Sequence, residues 1–330
     1  MIKKLCIVGL GKHALFQIDL LKKFRSDIEI TDLVDSSIAS YYRCLDTFNG
    51  ELRSSYSKNI SSVLKRKNLD VIYISTLSDS HIKIALEIIE SGYSNTIIIE
   101  KPISNSLANV NILKDKILNI KWEGNIYVGF YRRNNNLLKK IKEIVMDSEI
   151  GELKKISYFG SVEVSMNGSH WIDFANWINP KKRIDVSSEL IFDQVPGRRG
   201  AKILDPFCNL TLNYSNGVEF SISSELSKKE DCLILLKFSK GEIHINRQED
   251  SAQIITSDKK YEISLPGSKN ESFINFIDSI EKSDDNLPGI NEGYEVLETV
   301  IGAHISDKNN NNNISFPLNT SDESITLNVG

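Results

Sequence analysis

A chain of 330 residues, 40% hydrophobic and 25% charged, has length for about two domains and apolar side chains enough for a sizeable core. Its formal net charge of -4 and scattered basic residues speak against nucleic acid or an anionic membrane as partners. A phosphate-bearing small ligand stays open, because one helix N-terminus and one arginine can hold it.

Cys6, Cys44, Cys208 and Cys232 form no C-x-x-C pair, and so few cysteines in so long a chain suggest a reducing compartment. No stretch reaches the roughly 20 apolar residues of a membrane span. The short apolar run in "MIKKLCIVGLGKH" is broken by glycines and followed by no cleavage site, so a cytoplasmic protein is expected.

The first 120 residues alternate in kind. "KKLCIVGL" predicts a buried strand and "HALFQIDLLKKF" a helix, with Leu15, Ile18, Leu21 and Phe24 at helical spacing. Strand "IEITDLVD", helix "SIASYYRCLDTF", strand "LDVIYIST", helix "SHIKIALEIIESG", strand "NTIIIEKP" and helix "SLANVNILKDKILNI" follow. "GNIYVGFYRR" adds a strand and "NNLLKKIKEIVMDSEIG" a helix. Continuous Ile/Val strands separated by helices imply right-handed βαβ units and a parallel sheet.

From about residue 150 the texture changes. "ELKKISYFGSVEVS", "CNLTLNYSNGVEFSISSEL", "CLILLKFSKGEIHINR" and "AQIITSDKKYEISL" are alternating runs joined by "SNG", "SKG" and "SDKK", which are hairpin signals. A helix at "SHWIDFANWI" interrupts them; helices at "ESFINFIDSIEK" and "INEGYEVLETVIGAHISD" and a last strand at "ISFPL" close the chain. The expected architecture is α/β followed by α+β. A doubly wound parallel sheet spans residues 1–122. An open, predominantly antiparallel sheet with helices on one face spans 123–330, with residues 291–318 able to pack back on the first domain.

"VGLGKHA" places Gly9, Gly11 and Ala14 in the G-x-G-x-x-G/A pattern, between a predicted strand and a predicted helix. Asp35 ends the next strand, 21 residues past Ala14, which is the context of a dinucleotide-binding fingerprint. Gly9 permits the tight turn, Gly11 lets backbone approach a pyrophosphate, and Ala14 lets helix and strand pack closely. The amides around Lys12 face the phosphates; His13 faces either the cofactor or solvent. The Asp35 carboxylate suits a ribose diol and would repel a 2′-phosphate by about 4 kcal/mol per charge at 4 Å and an effective dielectric of 20. No arginine follows before Arg43, so NAD is expected over NADP, while Ser36 and Ser37 keep NADP possible.

"IIIEKPIS" ends a later strand of this sheet, the fifth, on its ligand-binding edge. Pro102 biases Lys101 toward extended backbone and aims it out of the edge; Glu100 pairs with Lys101 or with a helix N-terminus. The glycine turn, the Thr-x-x-x-x-His segment of Thr76 and His81, Glu100-Lys101-Pro102, "GFYRR", and His170 with Asp173 in His-x-x-Asp together resemble a known family. It is the glucose-fructose oxidoreductase, inositol dehydrogenase and MocA family of NAD(P)-dependent oxidoreductases.

The resemblance covers nearly the whole chain. It implies an N-terminal Rossmann domain, a C-terminal open sheet and a homodimer or homotetramer paired through that sheet. It puts Lys101 and His170 beside the substrate carbon and Thr76, Leu77, His81 and Glu100 near the cofactor. The family often has an aspartate four residues before the histidine as a proton relay; this chain has Met166 there, with Asn167 next to it.

A neutral imidazole can take or give a proton near neutral pH, and a nearby ammonium stabilises a developing alkoxide. His170 is therefore expected as acid/base and Lys101 as electrostatic partner, with the reverse assignment open. Asp173 either orients His170 or packs in its helix. Arg132 and Arg133 either reach a substrate or sit at a solvated helix entrance. Arg198 and Arg199 in "FDQVPGRRGAK" either grip a phosphate or carboxylate or stay exposed. Trp171, Phe174 and Trp177 have core spacing.

No His/Cys/Asp cluster has metal-ligand spacing, so no metal is implied. The expected activity is hydride transfer to or from a hydroxyl or keto carbon of a sugar, foremost a nucleotide-activated sugar or polyol in surface glycan biosynthesis. The alternatives are a reductase of a small free keto-sugar or cyclic polyol, or a dinucleotide-binding sensor without turnover.

Overall fold

The computed structural model describes residues 1–65, 68–147, 150–192, 205–224 and 232–328. Its contacts divide the chain into two compact units. Met1–Phe130 and Ile277–Tyr294 form the first, and Tyr131–Phe276 and Glu295–Asn328 the second.

In the first unit β1 (Lys4–Val8), α1 (Lys12–Phe24), β2 (Glu29–Val34), α2 (Ile38–Thr47), β3 (Ser55–Ser57), the single turn α3 (Ser61–Leu64), β4 (Val71–Ile74), α4 (Ser78–Glu90), β5 (Thr96–Ile99), α5 (Leu107–Ile120) and β6 (Asn125–Val128) alternate along the chain. The strands make one sheet in the order β3-β2-β1-β4-β5-β6, every pair parallel. Ile97, Ile98 and Ile99 are fully buried, each stabilising by about 2 kcal/mol on area grounds. Such a strand shows no period-2 alternation because neither face meets water. β3 escapes prediction from sequence: three residues with one β-former are too short a signal.

The chain order reverses at β1, which pairs β2 on one side and β4 on the other. That is the topological switch point of an open parallel sheet, where the loops after β1 and β4 diverge and leave a crevice. The glycine turn follows β1, Ser75–Leu77 follows β4, and Glu100–Lys101 follows β5, so the motifs leave one edge of one sheet.

The second unit begins with a 3₁₀ turn at Tyr131–Asn134 and α6 (Asn136–Met146). Its sheet is built from β7 (Leu153–Phe159), β8 (Arg183–Ile191), β9 (Phe207–Tyr214), β10 (Glu219–Ser223), β11 (Cys232–Phe238), β12 (Gly241–Asn246), β13 (Ser251–Thr256), β14 (Lys260–Ser264) and, after further helices, β15 (Ile314–Ser315). The order is β14-β13-β12-β11-β7-β10-β9-β8-β15; β7 and β10 pair in parallel and the other neighbours antiparallel. The three predicted hairpins are β9–β10, β11–β12 and β13–β14. Gly217, at φ +79°, takes the left-handed position of the first turn, "SNG".

α7 (Gly168–Ile178) lies between β7 and β8 and is almost wholly buried, with Trp171, Phe174 and Trp177 in the core. α8 (Ser268–Glu281) and α9 (Ile290–Lys308) each give residues to both units, and α10 (Thr320–Glu323) is a single turn. Within the second unit, Arg183 on β8 donates to Glu298 on α9 at 2.7 Å and to Thr299 at 2.8 Å. Among the described residues no helix is long and apolar enough to cross a membrane, and no His/Cys/Asp/Glu group could hold a metal ion.

Candidate functional site

The glycine turn has the shape its spacing implies. Gly9 sits at φ +92°, and a Cβ there would lie 2.5 Å from the carbonyl oxygen of Ser75, so the residue has to be glycine. Its amide donates to Val34 O at 2.7 Å, which closes the turn over β2. Gly11 caps α1, and a Cβ there would meet nothing within 4 Å. The turn thus leaves a cradle at the start of a 13-residue helix, where amides with no helical partner point outward and favour an anion. Ala14 is fully buried against the sheet, and Lys12 is exposed beside the cradle.

Asp35 is half-buried one residue past β2. One carboxylate oxygen accepts from the amide of Leu10 at 2.9 Å, the other from the amide of Ser37 at 2.8 Å. The acid is thereby fixed to the turn it serves, and its remaining lone pairs suit a ribose diol. Ser36 next to it is exposed.

Arg43 stands eight positions after Asp35, yet α2 carries it back to this place. Its Nη2 donates to Leu10 O at 3.2 Å and lies 3.3 Å from Ser40 Oγ. α2 starts at Ile38, so Arg43 lies about one and a half turns along it, and a cation that looks remote in sequence is local in space. Tyr56, stacked on Tyr41 with ring centroids 4.7 Å apart, donates to Asp35 O and completes this corner. The turn, the cradle and Asp35 together fit a dinucleotide.

Below the cradle lies a buried polar cluster. Glu100, 5% exposed, receives the Tyr73 hydroxyl on Oε1, and His13 Nε2 lies 2.9 Å from the same oxygen. The same ring nitrogen also lies 3.1 Å from Gln17 Nε2. Glu100 Oε2 takes the amide of Lys101 at 3.2 Å. Of the two pairings open for Glu100, the one seen is with backbone of Lys101, and the acid also binds α1 to the turn after β5. Lys101 is half-buried at the sheet edge.

Thr76 Oγ1 accepts from Ser80 Oγ at 2.7 Å, and Leu77 is exposed at the head of α4. His81, expected near the cofactor, is a buried side chain of α4. It is 1% exposed and both ring nitrogens meet backbone carbonyls, Nδ1 that of Pro102 at 3.0 Å and Nε2 that of Thr76 at 3.1 Å. Burial holds its pKa below the ordinary histidine value.

In the second unit His170 is the third residue of α7, 8% exposed, with its amide donating to Asn167 O at 3.2 Å. The segment before it is tied down by acids. Asn167 Nδ2 donates to Glu163 at 2.8 Å, and the amides of Ser165 and Met166 donate to Asp205 at 3.0 and 2.7 Å. Burial pushes the Asp205 carboxyl up to about 6. So at Met166, where the resembled family carries an acid, a carboxylate from the approach to β9 holds the backbone.

Asp173 binds Arg133 through Nε at 2.9 Å and Nη2 at 2.7 Å, a buried bidentate pair. Arg132 binds Glu249 at 3.0 Å and lies 4.3 Å over the Trp171 ring. Neither arginine sits at a solvated helix entrance: both are ion-paired inside the second unit. Arg198 and Arg199 lie outside the described residues.

Sequence reasoning passed over Tyr73, Arg43, Glu249 and Asp205. Tyr73 left one trace, a phenol in an otherwise aliphatic buried strand, which has to find an acceptor.

Residues 3–118 match the model of an oxidoreductase family with an NAD-binding Rossmann fold. A Bacillus subtilis (strain 168) protein, YteT, named as an oxidoreductase, is 23% identical over 180 residues, 53% of this chain and about 40% of that relative's length. A levoglucosan dehydrogenase, solved with NADH and levoglucosan, superposes with a TM-score of 0.75 at 15% identity, covering 96% of this chain and 99% of that one. The transcriptional regulator Gal80p of Kluyveromyces lactis superposes at 0.77 and 15% identity, covering 96% and 91%. The structural likenesses show a shared fold, and the family match falls on the segment that holds the turn, Asp35 and Lys101. The family match, to the NAD-binding Rossmann fold of the glucose-fructose oxidoreductase, inositol dehydrogenase and MocA oxidoreductases, is confined to residues 3–118.

Proposed function

We propose that this chain is an NAD-dependent oxidoreductase that moves hydride to or from a hydroxyl or keto carbon of a sugar, with nucleotide-activated sugars of surface glycan biosynthesis as first candidates. The observation that carries the reading is in the first unit: Lys101 is placed on the sheet edge that also bears the Gly9–Ala14 turn and the backbone-fixed Asp35. The dinucleotide, when bound, supplies hydride exchange at its nicotinamide ring. Gly11, Lys12 and the first amides of α1 hold its pyrophosphate, and Asp35 selects the unphosphorylated ribose. Thr76 and Leu77 line the nicotinamide half.

Lys101 supplies positive charge to the substrate oxygen, and Glu100 keeps the lysine backbone in place through the 3.2 Å bond. His170 gives or takes the proton of that oxygen. Asn167 is assigned to substrate hydroxyls, with Arg132 and Asp173 holding its surroundings and Arg198 kept as the charge for a substrate phosphate. Two or four copies pairing through the nine-stranded sheet is part of the same proposal, as is a cytoplasmic site of action.

A second reading has one residue behind it. Met166 cannot relay a proton, and a regulator shares the fold, so the chain would bind dinucleotide and a sugar without turnover. Absorbance at one enzyme equivalent of dinucleotide, with NADH given to free keto-sugars and NAD+ given to levoglucosan, cyclic polyols and UDP-sugars, separates the two. The enzyme reading expects a stoichiometric NADH change with at least one of them, lost in Lys101→Ala. Tight NADH binding with no absorbance change across the panel would leave the sensor.

A further inference from the structure

His81 is a polar ring placed where a core side chain belongs. It lies on the face of α4 that also buries Ile82, Ala85, Ile88 and Ile89. An imidazole removed from water at 1% exposure is costly unless it finds a partner, and the two carbonyls that its nitrogens face belong to the loops that leave β4 and β5.

We propose that His81 is a positioning residue for Lys101, its imidazole wedged between the carbonyls of Pro102 and Thr76 and donating to one of them, so that the lysine-bearing turn keeps one place beside the loop after β4. The proposal rests on Lys101 acting in the reaction, as argued above.

The need for such a tether follows from Pro102. A proline has no N–H, so the carbonyl is its sole backbone handle. On the other side of Lys101 the amide is already held, by Glu100 Oε2 at 3.2 Å. Lys101 is therefore flanked by two fixed points, one acidic and one from His81. Behind them the turn is packed: Ile103 and Ser104 are buried, and a Cβ on Gly293 of α9 would lie 3.0 Å from Ile103 Cδ1.

Both carbonyls only accept, while a neutral imidazole donates through one nitrogen. In either tautomer the ring therefore donates to one of the two carbonyls and packs against the other. An amide side chain at this position carries an N–H that can reach one of them, and a phenyl ring carries none.

The test compares His81→Asn with His81→Phe on the full chain, reading hydrogen exchange, ADP-ribose affinity, and turnover on whichever panel substrate the wild type accepts. The expected result is faster amide exchange in residues 103–106 of His81→Phe by about tenfold, kcat lower by about tenfold, ADP-ribose affinity within about twofold, and partial recovery in His81→Asn. ADP-ribose reports the glycine turn and Asp35 alone, so a general loss of fold would weaken it too. Unchanged exchange and unchanged kcat in His81→Phe would overturn the proposal, as would equal losses in kcat and ADP-ribose affinity for both variants. If exchange rises as expected but the wild type turns over nothing in the panel, the tether stands and the oxidoreductase reading falls.

Discussion

The hold of Asp35 on the glycine turn and the cofactor role proposed for it can be pulled apart by one substitution. Asp35→Asn removes the charge and keeps one acceptor. The buried amide of Leu10, now 2.9 Å from one carboxylate oxygen, and that of Ser37, 2.8 Å from the other, then compete for that acceptor. A hydrogen bond to a charged group contributes about 1.5–3 kcal/mol, so the exchange should cost about 2 kcal/mol of stability, and Asp35→Ala about twice that.

The charge also repels a 2′-phosphate. At 4 Å and an effective dielectric of 20 that term is about 4 kcal/mol per charge, and half-exposure and salt reduce it to about 1–3 kcal/mol. At about 1.4 kcal/mol per factor of ten, Asp35→Asn should shift the ratio of NADPH to NADH affinity toward NADPH by about 10- to 100-fold. Arg43, 3.2 Å from Leu10 O, is then the cation at hand for the phosphate, and Arg43→Ala in the Asp35→Asn background should reverse most of the gain. Fluorescence titration of both dinucleotides into wild type, Asp35→Asn and the double variant measures this. If Asp35→Asn folds and the ratio stays within about twofold, the carboxylate does not face the ribose, and the assignment of Asp35 is wrong.

Gly9 and Gly11 should separate folding from binding. Gly9→Ala meets Ser75 O at 2.5 Å with positive φ and should lose about 2–4 kcal/mol in urea unfolding, whereas Gly11→Ala meets no protein atom, should unfold like wild type, and should weaken NADH in calorimetry; unchanged NADH affinity in Gly11→Ala would remove the cradle. Asp205 has a folded pKa raised by burial to about 6, so its contribution to stability is complete below the unfolded value of about 4 and is lost as pH rises through about 6. The stability of wild type over Asp205→Asn should therefore shrink by about 2–3 kcal/mol between about pH 4 and pH 8, and a gap constant across that range refutes the shift. Arg133→Met leaves the Asp173 charge buried and should cost about 3–5 kcal/mol in the same unfolding assay, with Arg133→Met/Asp173→Leu costing less than the single variant; additive losses would mean that the pair is not coupled.

What the sequence made legible is what depends on period and spacing. Ile97–Ile99 could be read as buried on both faces because a parallel strand under two layers of helix has no polar alternation. The β9–β10 hairpin could be read from "SNG" because its turn needs a residue with positive φ, and Gly217 supplies it. The glycine turn and Asp35 were recoverable for the same reason: they are fixed by local backbone geometry at fixed offsets. Arg43 was discounted because linear distance stood in for distance in space, although α2 brings its guanidinium back to Leu10 O.

The buried polar residues mark the other boundary. His81 lies on the inward face of an amphipathic helix and Tyr73 in an aliphatic strand, so each had to find a partner, although the sequence analysis drew that conclusion for neither. Nothing local says which partner. Tyr73 reaches Glu100, 27 residues away, and His81 reaches Pro102, 21 residues away, because β4 and β5 are neighbours in the sheet, paired Tyr73 to Ile98 and Ile74 to Ile99. The strand register fixes who meets whom, and register follows from all six strands together. Helix, strand and turn can thus be read a segment at a time, whereas the groups that hold Lys101 in place become visible only once β4 and β5 are laid side by side.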